Sequence, residues 1–119
     1  MSLGGNVRRP EEPTDAIGFH DRGNRYSRNG AYERAIEDYD RAIYMDGAFA
    51  EAYYDRGFSF YEVALYEKAI ADLTRAIELN PEAARYYGQR SLVYVFTDRL
   101  DLAQADQDMS DELRDRGLE

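Results

Sequence analysis

AIGFHDRGNRYSRNGAYERAIEDYDRAIYMDGAF (Ala16–Phe49) is followed at once by AEAYYDRGFSFYEVALYEKAIADLTRAIELNPEA (Ala50–Ala83), and the two segments align without a gap. Twelve positions are identical: Ala16/Ala50, Asp21/Asp55, Arg22/Arg56, Gly23/Gly57, Tyr32/Tyr66, Glu33/Glu67, Ala35/Ala69, Ile36/Ile70, Asp38/Asp72, Arg41/Arg75, Ala42/Ala76 and Ile43/Ile77. Phe19/Tyr53, Tyr26/Phe60, Arg34/Lys68 and Met45/Leu79 are conservative exchanges. A third copy, Ala84–Gly117, keeps Ala84, Tyr87, Arg90, Ala103, Ala105, Asp106, Glu112 and Leu113 in the same register, with Ser91 in place of Gly57 and Ser110 in place of Ala76. Self-similarity at a fixed period of 34 residues marks an array whose units bury their apolar faces against one another.

Within each copy the apolar spacing is helical. Tyr53, Gly57, Phe60 and Val63 recur every three or four residues, and Tyr66, Ala69, Ile70, Leu73, Ala76 and Ile77 do the same after a break. Asn29-Gly30 and Ala64-Leu65 divide the two halves of a copy. Asp46-Gly47 offers a residue tolerant of left-handed backbone where the first copy ends. Asn80-Pro81 ends the second, because the residue before proline is pushed out of helical geometry. The pattern predicts helices over 15–28, 32–45, 49–63, 66–79, 83–96 and 99–116, with Thr14 and Thr97 as N-caps. Glycine in a helix interior costs about 1 kcal/mol relative to alanine. Gly23 and Gly57 therefore imply close approach of the second helix of the pair, where Ala35, Ala42, Ala69 and Ala76 supply small facing residues.

Gly23, Tyr26, Ala35 and Ala42, then Tyr53, Gly57, Phe60, Ala69, Ala76 and Pro81, resemble the tetratricopeptide repeat, with tyrosine or phenylalanine in place of its usual tryptophan. The resemblance covers residues 16–117. It implies an all-α fold, a right-handed α-solenoid of three helix-turn-helix repeats (16–49, 50–83, 84–117), with the first helix of each repeat lining a concave groove. The domain is expected over 15–117, behind a flexible tail over 1–14 that mixes glycine, proline and charge. The last helix replaces Ile36, Tyr39, Ile43 and Ile70, Leu73, Ile77 with Gln104, Gln107 and Asp111. A polar outer face suits a terminal, capping helix, so the array is expected to be complete. Leu100, Leu102, Ala103, Met109 and Leu113 are expected to pack this helix inward.

The chain has 119 residues, of which 44% are hydrophobic, enough for one packed domain. Its formal charge of −9 disfavours nucleic acid and anionic membrane surfaces as partners. No apolar run approaches the roughly 20 residues of a membrane span, and the N-terminus carries no signal-peptide pattern, which makes the cytoplasm the expected compartment. Without cysteine there is neither a disulfide framework nor a thiolate zinc site. His20 is the only histidine. Asp21 beside it points about 100° away on a helix and cannot face it. No nucleophile, base and orienting group can be assembled, so no enzyme activity, metal or cofactor is expected.

Binding residues are sought in the groove, where the resemblance places Asn24 and Arg28 with His20 and Ser27; Glu51, Tyr54, Asp55, Phe58, Tyr61 and Glu62; and Arg85, Gln89 and Phe96 with Leu92 and Val95. Tyr54, Phe58 and Tyr61 form an aromatic patch on the nominally open side, a feature typical of interaction surfaces. One subfamily grips the C-terminal carboxylate of heat-shock chaperones with lysines, asparagines and an arginine. Its five positions here are His20, Asn24, Asp55, Arg85 and Gln89. Asp55 puts a carboxylate where an amide should be, and like charges repel, so an acidic chaperone tail is not the expected ligand. The reading is an adaptor holding a partner peptide in the groove. The alternatives are a homodimer through the aromatic patch and the tail over 1–14 folding back into the groove.

Overall fold

The computed structural model describes residues 12–119, so the expected tail lies outside the described residues up to position 11. Six helices follow one another: α1 (Ala16–Arg28), α2 (Tyr32–Met45), α3 (Ala50–Glu62), α4 (Tyr66–Leu79), α5 (Ala84–Phe96) and α6 (Leu100–Asp115). The bounds of α2 and α4 are those expected, and the other four helices are a residue shorter at one or both ends. Each helix packs on the next, and α3 also touches α1 and α5. The three odd-numbered helices thus lie side by side as one wall. None of the described helices is long and apolar enough to cross a membrane.

The turn between the two helices of a repeat is one geometry used three times. Gly30, Ala64 and Asp98 all have positive φ, at 79°, 63° and 58°. The next amide closes each turn by donating five residues back: Ala31 N to Tyr26 O (2.9 Å), Leu65 N to Phe60 O (2.8 Å) and Arg99 N to Tyr94 O (2.8 Å). Such a left-handed residue satisfies helix-end carbonyls and normally is glycine; only the first repeat has one. The second helix of the second repeat ends as expected, with Asn80 out of helical geometry before Pro81, but the end of α2 differs from expectation. Gly47 is not left-handed; Asp46 is extended, and its side chain accepts from Ala48 N (3.0 Å), as that of Asn80 does from Glu82 N (3.3 Å). A side chain closing the turn replaces a left-handed backbone here. The predicted N-caps are also corrected. Asp15 caps α1 by accepting from Gly18 N (2.8 Å), while the Thr97 hydroxyl donates back to Tyr94 O (3.2 Å) at the end of α5.

Packing inside a repeat follows the small residues. Ala35, Ala42, Ala69 and Ala76 are fully buried. A Cβ placed on Gly23 would come within 2.7 Å of the Tyr39 ring, and one on Gly57 within 3.0 Å of Leu73 Cγ and 3.3 Å of Ala69 O. In the third repeat the Ser91 hydroxyl donates to Ala103 O (2.7 Å), the carbonyl equivalent to Ala69 O. A clash is thereby turned into a hydrogen bond.

Beneath this runs a charged staple in every repeat. Arg22 donates through two nitrogens to Asp38 (2.9 Å each), Arg56 to Asp72 (2.8 Å each) and Arg90 to Asp106 (2.7 and 2.8 Å). The three aspartates are buried, and forked pairing of this kind is the strong form of a carboxylate contact. The remaining guanidinium nitrogen reaches the preceding repeat, from Arg56 to Asp40 (2.8 Å) and from Arg90 to Thr74 (3.1 Å). The same planes lie over rings at Phe19 and Tyr26, Tyr53 and Phe60, and Tyr94.

In α6 the polar substitutions face water as expected: Gln104 donates to Asp108 (2.8 Å) and Gln107 to Asp111 (3.0 Å) along the helix. The inward set is smaller than expected. Ala103 and Leu113 are buried, but Leu100, Leu102 and Met109 are 58%, 51% and 38% exposed. Leu102 and Met109 occupy the register of Lys68 and Arg75, both solvent positions, and the repeat register outranks side-chain polarity.

Candidate groove site

The wall formed by α1, α3 and α5 carries three distinct clusters. At the start of the helices Arg85 donates to Glu51, and the Tyr86 hydroxyl donates to the same carboxylate. Arg85 also meets the main-chain oxygen of Glu119, the last residue, through its backbone N–H (3.0 Å) and its guanidinium (3.3 Å). Burial opposes the charge of Arg85, but Glu51 outweighs it and holds the guanidinium above its ordinary value. Tyr54 lies over Tyr86, with ring centroids 5.0 Å apart.

At the far end of the helices the aromatic residues meet one another. Phe96 is T-shaped to Tyr61 (5.4 Å) and stacked on Tyr66 (5.6 Å), and Phe58 touches Tyr61 (6.4 Å) and Tyr32 (6.3 Å). Glu62 accepts from the Tyr32 hydroxyl (2.7 Å). Tyr54, Phe58 and Tyr61 are therefore half-buried among their own neighbours, while Phe96 is 54% exposed.

Between these ends α1 and α3 leave a cleft of about 350 Å³, lined by Asn24, Ser27, Arg28, Tyr39, Tyr54, Asp55 and Phe58. Six of the expected groove residues meet here. Glu51, Arg85, Tyr61, Glu62 and Phe96 lie in the flanking clusters, and Gln89 keeps its Nε2 buried with no hydrogen-bond partner among the described residues. Tyr39 is the contributor that sequence reasoning assigned wholly to the core. Its ring is buried against Gly23, but its hydroxyl donates to Asn24 Oδ1 (2.6 Å). The signal was present: the matching positions are Leu73 and Gln107, and a tyrosine in place of leucine brings a hydroxyl that must be satisfied. Burial pushes the phenols of Tyr39 and Tyr54 upward, with the Asp55 charge adding to both, so both remain protonated donors.

His20 does not act with Asp21. Its Nε2 lies 2.6 Å from Asp55 Oδ2 across the α1–α3 boundary, with the ring against Phe49 (centroids 4.8 Å apart). The carboxylate that stood against an acidic ligand is thus already engaged.

Residues 23–63 match the family described as TPR repeat, and residues 50–83 that described as Tetratricopeptide repeat. Among solved structures, the second TPR of Spaghetti (RPAP3), bound to the HSP90 peptide SRMEEVD, is 35% identical with a TM-score of 0.82, over 84% of this chain and 93% of its own. The second TPR domain of human RPAP3, in complex with the HSP70 peptide SGPTIEEVD, is 36% identical with a TM-score of 0.79, over 82% of both chains. The Arabidopsis OM64 TPR domain, 24% identical over 85% of this chain and 84% of its own, has a TM-score of 0.83 and speaks for the fold alone. No match was found among curated proteins. The two similar domains overturn the exclusion of acidic chaperone tails drawn from Asp55, since both hold such peptides. The physical error was to treat Asp55 as a free carboxylate facing the groove, when His20 from the neighbouring helix is hydrogen-bonded to it.

Proposed function

Because the chain belongs to the tetratricopeptide repeat family, we propose that it is a protein-interaction module that holds an extended, acidic C-terminal peptide of a partner along α1, α3 and α5. Members of this family generally join proteins and carry no catalysis. The observation that carries the reading is the cleft between α1 and α3, where Asn24, Arg28 and a His20-bonded Asp55 adjoin the faces of Tyr54 and Phe58. A peptide whose last residues alternate carboxylates with an apolar side chain fits both halves of that lining. Two domains at 35% and 36% identity are solved with peptides of this kind.

A few anchors in a shallow groove correspond to micromolar affinity, about −8 kcal/mol at 1 µM. Calorimetric titration with SRMEEVD and SGPTIEEVD tests the reading. Phe58→Ala is expected to weaken binding by about 1–3 kcal/mol with little change in helicity. Failure of both peptides to bind below millimolar concentration, or equal binding by Phe58→Ala, would remove it.

A further inference from the structure

On that reading of the groove, we infer that the terminal carboxylate of the peptide is received by Arg28 with Asn24, at the end of α1. Arg85 and His20 also line the groove, and both are engaged. Arg85 is held by Glu51 and also donates to the main-chain oxygen of Glu119, and His20 is bonded to Asp55. A ligand carboxylate at either place would have to compete with a carboxylate that the fold already positions there. Gln89 carries no charge, and its amide nitrogen is buried beyond reach.

Arg28 differs from these on every count. It is exposed at the mouth of the cleft and has no carboxylate within 4.0 Å among the described residues. Asn24 stands one turn earlier on the same face. The Tyr39 hydroxyl occupies its amide oxygen, which leaves the two N–H donors of the amide to the cleft. Ser27 lines the same opening and adds a hydroxyl. A guanidinium, an amide donor and a hydroxyl form a set that matches one carboxylate, and charge-assisted hydrogen bonds are the strong members of such a set. Tyr54 and Phe58 then form the apolar floor for the side chain that precedes the carboxylate. A cleft of about 350 Å³ lies at the small end of ligand sites and suits one terminal residue with part of its neighbour.

The test is calorimetric titration of the full chain and its Arg28→Ala, Arg28→Lys and Arg85→Ala variants with SRMEEVD as the free acid and as the C-terminal amide. Wild type is expected to bind the amide at least ten-fold more weakly than the acid. Arg28→Ala should lose about ten-fold or more on the acid and little on the amide, Arg28→Lys should recover part of the loss, and Arg85→Ala should lose less. Circular dichroism checks that Arg28→Ala keeps its helicity. If wild type binds and Arg28→Ala binds the acid equally well, the assignment to Arg28 is wrong while the groove reading stands. Equal losses on acid and amide would mean that Arg28 meets a side-chain carboxylate, which overturns the terminal assignment. If wild type binds neither peptide, the groove reading fails and this inference with it.

Discussion

The groove between α1 and α3 and the groove between α3 and α5 are built on one backbone and carry opposite chemistry. His20, Asn24, Arg28, Tyr39 and Asp55 of the first become, one repeat later, Tyr54, Phe58, Glu62, Leu73 and Gln89. The first set makes a polar cleft with a cation, Arg28, that has no ion-pair partner among the described residues. In the second, Tyr54 closes on Tyr86, Leu73 is fully buried, and Glu62 is bonded to the Tyr32 hydroxyl. The residues behind both grooves hardly change: a small residue at 23, 57 and 91, alanines at 35, 69 and 103, and an arginine–aspartate staple in each repeat. Scaffold and recognition therefore occupy separate positions of the same 34-residue unit, and one can vary without disturbing the other.

That separation can be broken most forcefully at the staples. Asp72→Ala leaves Arg56 in a partly buried site without its main partner, and removing one member of a buried pair costs about 3 kcal/mol or more. Urea denaturation measures it; a midpoint equal to wild type would erase the distinction between scaffold and groove. Gly23→Ala comes next. The added methyl meets the Tyr39 ring at 2.7 Å, and overpacking of about 1–3 kcal/mol exceeds the helix-propensity gain of about 1 kcal/mol. Gly57→Ala, with its nearest contact at 3.0 Å, should lose less, so the order of the two melting temperatures checks the close-approach argument.

Tyr39→Phe acts on recognition alone. It keeps the ring and removes the hydroxyl that fixes Asn24, so peptide affinity should fall by about 1 kcal/mol with the melting temperature nearly unchanged; a large drop in melting would return Tyr39 to the scaffold. The smallest effect is a gain. Ala64 holds a left-handed conformation that costs an L-residue about 1–2 kcal/mol, partly offset by the extra chain entropy of glycine, about 0.5–1 kcal/mol. Ala64→Gly should raise stability by about 0.5 kcal/mol, read from the same urea titration.

The scaffold was legible because it repeats. Twelve identities at one offset located the helices, and a glycine kept in mid-helix twice announced a close contact. What identity cannot give is the partner. Arg22, Arg56 and Arg90 stood out with Asp38, Asp72 and Asp106, yet nothing in a list of matching positions says that they bind each other across two helices. The turns at Ala64 and Asp98 were placed by the breaks between helices, but their left-handed backbone was hidden, since their residue types disagree with the φ that the fold imposes. The groove was least legible, because its contacts join residues a full repeat apart. Asp55 looked like an exposed obstacle until His20 was found bonded to it, 35 positions earlier. The misplaced Leu102 and Met109 show the reverse fault, trust in hydrophobicity where the register already pointed to water.

The geometry of the staples also bears on how such a chain can change its length. Arg56 takes one partner 16 residues ahead, Asp72, and another 16 residues behind, Asp40. Arg90 does the same with Asp106 and Thr74. Each guanidinium is thus centred between two second helices and refers only to sequence distance, not to its place in the array. A copy inserted or removed as a whole unit keeps an equivalent partner on both sides, whereas an insertion within a helix moves the arginine or its aspartate off the shared face. The arginine thus acts as a ruler whose step is one whole repeat.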